Sequence, residues 1–193
     1  MKVLALVSLA TVVAGANIRN HLEDGCRGGY LDYPNIAPRV CALGLHDNDT
    51  KGTVSIAFSA LPQHSTVIGW QANRSGNLCG SNAKQDNVGN TDHKCLGTLS
   101  GGARYAGSSW VQPGQLNVKE GQQSTACTGQ MKPHSIVLND GHKYLLGGME
   151  EDKIKALYDL AVKGTSSQEL PSEYAAFEVE KEAAEERAQD IQA

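Results

Sequence analysis

Residues 53–60 read TVSIAFSA, and Val54, Ile56 and Phe58 alternate with Ser55, Ala57 and Ser59. A period of two over this length is the pattern of a β-strand with one apolar face. Turn-forming residues bracket it, His46-Asp47-Asn48-Asp49-Thr50 before and Pro62-Gln63-His64 after. Residues 65–72 alternate again, with Thr66, Ile68 and Trp70 opposite Val67 and Gly69, and residues 39–45 read as a further strand. Near the far end, SIVLN and HKYLL flank Asp140-Gly141 across residues 135–146. Asp-Gly between alternating segments predicts a hairpin with a type I′ turn, placing Ile136, Leu138, Tyr144 and Leu146 on the core side. Short segments between frequent turns, with 21 glycines and only 5% aromatics, predict a mainly β body whose core is aliphatic.

The texture changes after Gly148. Residues 150–163, EEDKIKALYDLAVK, carry three acids in the first turn and a lysine in the last, with Gly164 just beyond. Those charges complement a helix dipole, and the glycine suits the position after the last turn. Ile154, Leu157, Tyr158 and Ala161 form its apolar face. Ser166 and Glu169 have capping-box spacing. From Glu169 to Ala193 there are eight acids against two bases, so this tail holds the negative charge of a chain whose formal net charge is −4. Acids four apart, such as Glu178 and Glu182, repel on a helix. The expected architecture is therefore a compact, disulfide-tied β-sandwich or barrel-like body with one C-terminal amphipathic helix and an acidic helical or disordered tail.

The chain opens MKVLALVSLATVVAGA, a lysine, an apolar run and a small-residue cleavage site. This is the pattern of a secretory signal peptide, cut after Ala16; the run is well short of the roughly 20 residues that span a bilayer. The expected organisation is a signal peptide over 1–16, a β-rich secreted domain over 17–148, a docked helix over 149–164 and an acidic tail over 165–193. Residues 17–25 are polar and unperiodic and predict no element. A near-neutral body without a basic stripe predicts no nucleic-acid partner, and no segment predicts a membrane span.

Five cysteines, Cys26, Cys41, Cys79, Cys95 and Cys127, lie beyond the signal. In an oxidising compartment they are expected to pair, and the odd count leaves one over. Short-range pairing predicts Cys79–Cys95 and Cys26–Cys41; the competing arrangement joins Cys41 to Cys127 and leaves Cys26 free. The unpaired thiol is either buried or the bond of a disulfide-linked dimer. Asn48-Asp49-Thr50 and Asn73-Arg74-Ser75 are N-glycosylation sequons in predicted turns, giving Asn48 and Asn73 as glycan acceptors.

Chemical motifs are sparse. The six histidines show no helical metal-binding pair, and Asp86, Asn90 and Asp92 miss the spacing of a calcium loop, so no metal or cofactor is expected. No Gly-x-Ser-x-Gly elbow is present. An acid–base enzyme, a secreted ribonuclease or glycan hydrolase, would require two or more of Asp86, Asp92, His93 and Glu120 to converge within a cleft, with a perturbed pKa. The segment LCGSNAKQDNVGNTDHKC, residues 78–95, reads as an exposed loop between two cysteines. With flanking tryptophans it supplies the candidate contact surface: Trp70, Asp86, Asn90, Asp92, His93 and Trp110.

A signal sequence, five cysteines, two sequons and no catalytic motif give a layout, from Met1 to Cys127, that resembles fungal small secreted proteins of the effector or elicitor type. The resemblance is to a class and carries no residue roles. It implies a secreted, non-enzymatic binding protein acting outside the cell at a host interface, with an extracellular protein or glycan as partner.

Overall fold

The computed structural model describes residues 15–45, 52–115 and 127–179. The signal segment up to residue 14, the Asn48 sequon, Glu120 and the acidic run from 180 lie outside the described residues. In chain order the strands are β1 (Ala16–His21), β2 (Tyr30–Ile36), β3 (Val40–Leu43), β4 (Ser55–Ser59), β5 (Thr66–Gln71), β6 (Ser81–Asn87), β7 (Lys94–Leu96), β8 (Gly107–Val111), β9 (Gly129–Met131), β10 (Ser135–Val137) and β11 (Lys143–Leu145). Helix α1 (Glu151–Val162) and β12 (Glu178–Val179) follow.

These strands form a mainly β body of two sheets. One runs β12-β11-β10-β2-β1-β4-β7 and the other β6-β5-β8-β3-β9. Their inner faces share one core. From the first sheet come Ile18, Leu31, Tyr33, Ile56, Phe58 and Ile136, and from the second Ala42, Val67 and Trp110. Polar atoms inside it are matched across the gap: Ser108 Oγ donates to Asn20 Oδ1 at 2.7 Å, and Trp110 Nε1 to the Ile36 carbonyl at 2.9 Å. Gly69 has no side chain because a Cβ there would stand 2.3 Å from the Tyr105 ring.

The alternation at 53–60 does place Ile56 and Phe58 in the core, yet Ser55 is buried too. Its Oγ donates to the Glu23 carbonyl at 2.6 Å and accepts from the Cys26 amide at 2.9 Å. That bond folds residues 22–29 over the outer face, and the disulfide Cys26–Cys95 pins them to β7. The second disulfide is Cys41–Cys79, and Cys127 is a free thiol. Both short-range pairings expected from the sequence are therefore replaced, as is the Cys41–Cys127 alternative. Cys79 and Cys95 flank β6 and end against opposite sheets, so each reaches the cysteine nearest in space rather than in sequence.

Three further expectations are corrected. The polar stretch from residue 17 lies mostly in β1, which pairs with both β2 and β4 in the middle of its sheet. Within the expected loop 78–95, residues 81–87 are an edge strand pairing with β5. The 135–146 hairpin forms with Ile136, Leu138, Tyr144 and Leu146 all buried, but its turn is not type I′. Leu138 N–H donates to the His142 carbonyl, Gly141 N–H donates to the Leu138 carbonyl, and only Gly141 in the turn has positive φ, at 90°. That is a three-residue loop with a glycine bulge, the alternative for which a type I′ pair of positive φ values is not needed.

Helix α1 is flanked by Glu150 and Lys163, with Gly164 at φ 77°. Leu157, Tyr158 and Ala161 enter the shared core, and Ile154 is half-buried. Beyond it residues 165–179 lie against the body. The Ser166–Glu169 capping box is present, Tyr174 is buried, and β12 pairs with β11.

Candidate functional site

Buried and half-buried aliphatic side chains from distant parts of the chain meet at one open cleft of about 780 Å³. Leu43 and Leu45 reach it from the end of β3, Leu78 from the β5–β6 turn, Leu145 and Leu146 from the end of β11, and Ile154 from α1. The volume falls within the range of small-molecule sites, and the clustering of partly exposed leucines is what such sites present. Each wall has a local cause. The β3 strand stops at Leu43, the Cys41–Cys79 bond holds the Leu78 turn beside it, and Gly147-Gly148 turns the chain from β11 into α1.

One rim is charged. Lys132 Nζ lies 3.0 Å from Glu151 Oε2, and Lys155 adds a second positive field on that carboxylate. Together the lysines hold the Glu151 carboxyl below its usual range. Two cations around one acid leave the rim with a net positive charge, in contrast with the apolar walls. His134 stands on the same side, its amide and carbonyl tied to the Asp32 carbonyl and the Leu146 amide.

The residues singled out from the sequence lie elsewhere. Trp70 and Trp110 are buried, so neither belongs to a contact surface. Trp110 fills the space between the sheets, and Trp70 lies on the other face of its sheet, its Nε1 donating to Ser109 Oγ at 2.8 Å. In a chain with two tryptophans, both are used for packing. Asp86 on β6 is 2.8 Å from Lys94 Nζ across to β7, and that contact lowers its pKa. Asp92 and His93 contact each other at 2.8 Å with 71% and 43% of their side-chain surface open to solvent, and the contact lowers the Asp92 pKa. Asn90 is exposed, and its carbonyl accepts from Gln63 Nε2 at 3.0 Å. These four share one stretch of edge, but none lines the cleft, and each acid is answered by its own base.

Asn73 lies on an exposed turn, where its Oδ1 accepts from the Ser75 and Asn77 amides and the Ser75 hydroxyl. The cleft itself escaped the sequence reading. Its leucines look like core residues in any local window, and a lysine three residues before a strand carries no signal of its own.

Comparison with known proteins gives two results. The chain matches the models of both parts of the ARB_05566 family, the N-terminal domain over residues 17–134 and the C-terminal domain over residues 139–193. It is also 62% identical, over 193 residues that are 100% of both chains, to an "Uncharacterized secreted protein" of Arthroderma benhamiae. No solved structure matches. The protein is secreted and extracellular, and no helix among the described residues is long and apolar enough to cross a membrane.

Proposed function

From the premise that this chain belongs to the ARB_05566 family, we propose that it is a non-enzymatic binding protein that works outside the cell, at a host interface. Its cargo is a small amphipathic acid, of the long-chain fatty-acid type, held in the leucine-lined cleft. The observation that carries this reading is the pairing of apolar walls with a positively charged rim. An alkyl chain would displace water from Leu43, Leu45, Leu78, Leu145 and Ile154, and burial of each methylene contributes about 0.8 kcal/mol. A carboxylate at the mouth would find Lys132 and Lys155, with charge-assisted hydrogen bonds fixing its orientation. The surface acids Asp86 and Asp92, each engaged by a neighbouring base, support binding over catalysis. A glycan on Asn73 belongs to the same reading and would sit on the solvent side of its turn.

A fluorescent long-chain fatty acid and its methyl ester, titrated against the secreted protein, test the cargo. Saturable binding of one acid per chain is expected, weaker for the ester and for the doubly substituted Lys132→Glu/Lys155→Glu protein, and absent in Ile154→Arg. Equal binding of acid and ester, or unchanged binding in Ile154→Arg, would overturn it. For the host role, removing the gene from the producing organism should reduce colonisation; unchanged colonisation rejects that part.

A further inference from the structure

The outer face of the five-stranded sheet carries a second, smaller apolar cluster in which three sulfurs meet. Cys41, Cys79 and Ile68 pack with Trp70 and Val111, and Cys127 lies against them. The Sγ atoms of Cys41, Cys79 and Cys127 are all within 4.8 Å of one another, although only the first two are bonded. The placement is built in. Cys127 stands just before β9, which runs parallel to β3 with Cys41 opposite Gln130, and the Thr128 amide donates to the Arg39 carbonyl at 2.8 Å. Beneath the disulfide is Gly107, where a Cβ would stand 2.7 Å from Cys79 Sγ and 3.2 Å from Cys41 Sγ. Ser109, which accepts the Trp70 indole N–H, also hydrogen-bonds Cys127.

We propose that Cys127 is the internal exchange partner of the Cys41–Cys79 disulfide, and that transfer of the bond to Cys127 unlatches the Leu78 wall of the cleft. The Cys127 thiol gives its proton to water, and the thiolate attacks Cys41 Sγ. The Cys41–Cys79 bond breaks, its electron pair leaves on Cys79 Sγ, and that sulfur takes up a proton. One S–S bond forms as one breaks, so no oxidant or reductant is consumed. Attack at Cys41 is the favoured direction, because attack at Cys79 would expel a thiolate at Cys41, the more deeply buried of the two. The product ties β3 to the segment just before β9 and frees the turn on which Leu78 stands beside Cys79.

Burial raises the Cys127 pKa above the ordinary thiol value, against the opposing pull of the Ser109 hydroxyl and the Arg39 charge. The thiol is thus mostly protonated at neutral pH, and exchange should quicken about tenfold per pH unit below its pKa. The exchange rests on sulfur geometry alone; only its effect on ligand binding rests on the cleft reading.

The secreted protein is incubated at a series of pH values, quenched in acid, alkylated, digested and mapped by mass spectrometry. The expected result is a Cys41–Cys127 peptide with alkylated Cys79, formed faster as pH rises, while Cys26–Cys95 stays intact. In the Cys79→Ser protein treated with oxidised glutathione as the two-electron oxidant a Cys41–Cys127 bond should form; in Cys127→Ser the Cys41–Cys79 bond should be the sole arrangement of that pair. Alkylation confined to Cys127 at every pH, free Cys41 and Cys127 in Cys79→Ser, or a Cys127–Cys127 dimer in place of the internal bond would each overturn the proposal. The fatty-acid titration repeated on the exchanged form reads the coupling: altered affinity is expected, and unchanged affinity removes the latch while leaving the exchange.

Discussion

His21 shows how a single polar side chain is built into the fold. It ends β1 with 2% of its surface exposed, its Nδ1 3.1 Å from the Arg27 carbonyl and its ring 5.0 Å from that of Tyr30. Burial pushes its pKa down to about 4. The unfolded chain takes a proton near the ordinary value of about 6.5, so between about 6.5 and 4 acid favours unfolding. Stability should be undiminished by this group above about pH 6.5 and fall by about 3 kcal/mol on reaching pH 4. Carboxylates with lowered pKa values, such as Asp24 and Asp86, lose their contribution only at still lower pH. Urea unfolding from pH 7 to 4 tests the point: the fall should be clearly smaller in His21→Gln than in the parent, and an identical fall would refute the assignment. Nothing in residues 17–25 announced this. Asn17, Asn20 and His21 are polar, and their place in a central strand depends on partners such as Ser108 that stand far along the chain.

Elements were legible where local pattern and burial agree. The strand at 55–59, the hairpin from Ser135 and the helix beginning at Glu151 each carry a clear apolar pattern in sequence. Strand β6 does not, since its sequence SNAKQDN has no alternation and it lies at a sheet edge with most side chains in water. An edge strand needs no apolar face, only the backbone of β5 to pair with. In residues 165–179 the acid-rich composition likewise hides one buried aromatic. Tyr174 is 2% exposed, its hydroxyl donates to the Lys153 carbonyl at 3.3 Å, and Lys153 Nζ lies 3.2 Å from Glu173. Glu178, at the start of β12, accepts a contact from His142 in the hairpin turn. Replacing Tyr174 by Ala should therefore cost about 3 kcal/mol in denaturant unfolding. A change below about 0.5 kcal/mol, the usual range for surface positions, would mean that this segment does not hold the body together.

At the scale of the whole molecule, secretion and a disulfide-tied β body follow from sequence, but the pairing and the cleft do not. Both depend on which segments become neighbours: the cleft gathers side chains from residue 43 to residue 155, and each disulfide crosses strands that are not adjacent in the chain. The Cys26–Cys95 bond spans 69 residues and Cys41–Cys79 spans 38. In the chain-entropy view, closing loops of these lengths removes freedom from the unfolded chain worth roughly 4 kcal/mol per bond. Total stability for a domain is about 5–15 kcal/mol, so either bond is a large share of it. The two should nevertheless differ. Among the described residues no third cysteine stands beside Cys26–Cys95, and its loss also leaves residues 22–29 held by hydrogen bonds such as those to Ser55, Thr98 and Asn139. In Cys79→Ser, by contrast, Cys41 retains Cys127 as a partner just before the neighbouring strand. Chemical unfolding of three proteins separates the cases. Cys26→Ser/Cys95→Ser should lose roughly 4 kcal/mol, Cys79→Ser clearly less because a replacement bond closes another long loop, and Cys127→Ser about 1 kcal/mol or less. Equal losses for the first two would show that Cys127 gives no compensation, and a large loss for Cys127→Ser would make the free thiol a packing residue instead of a reserve bond.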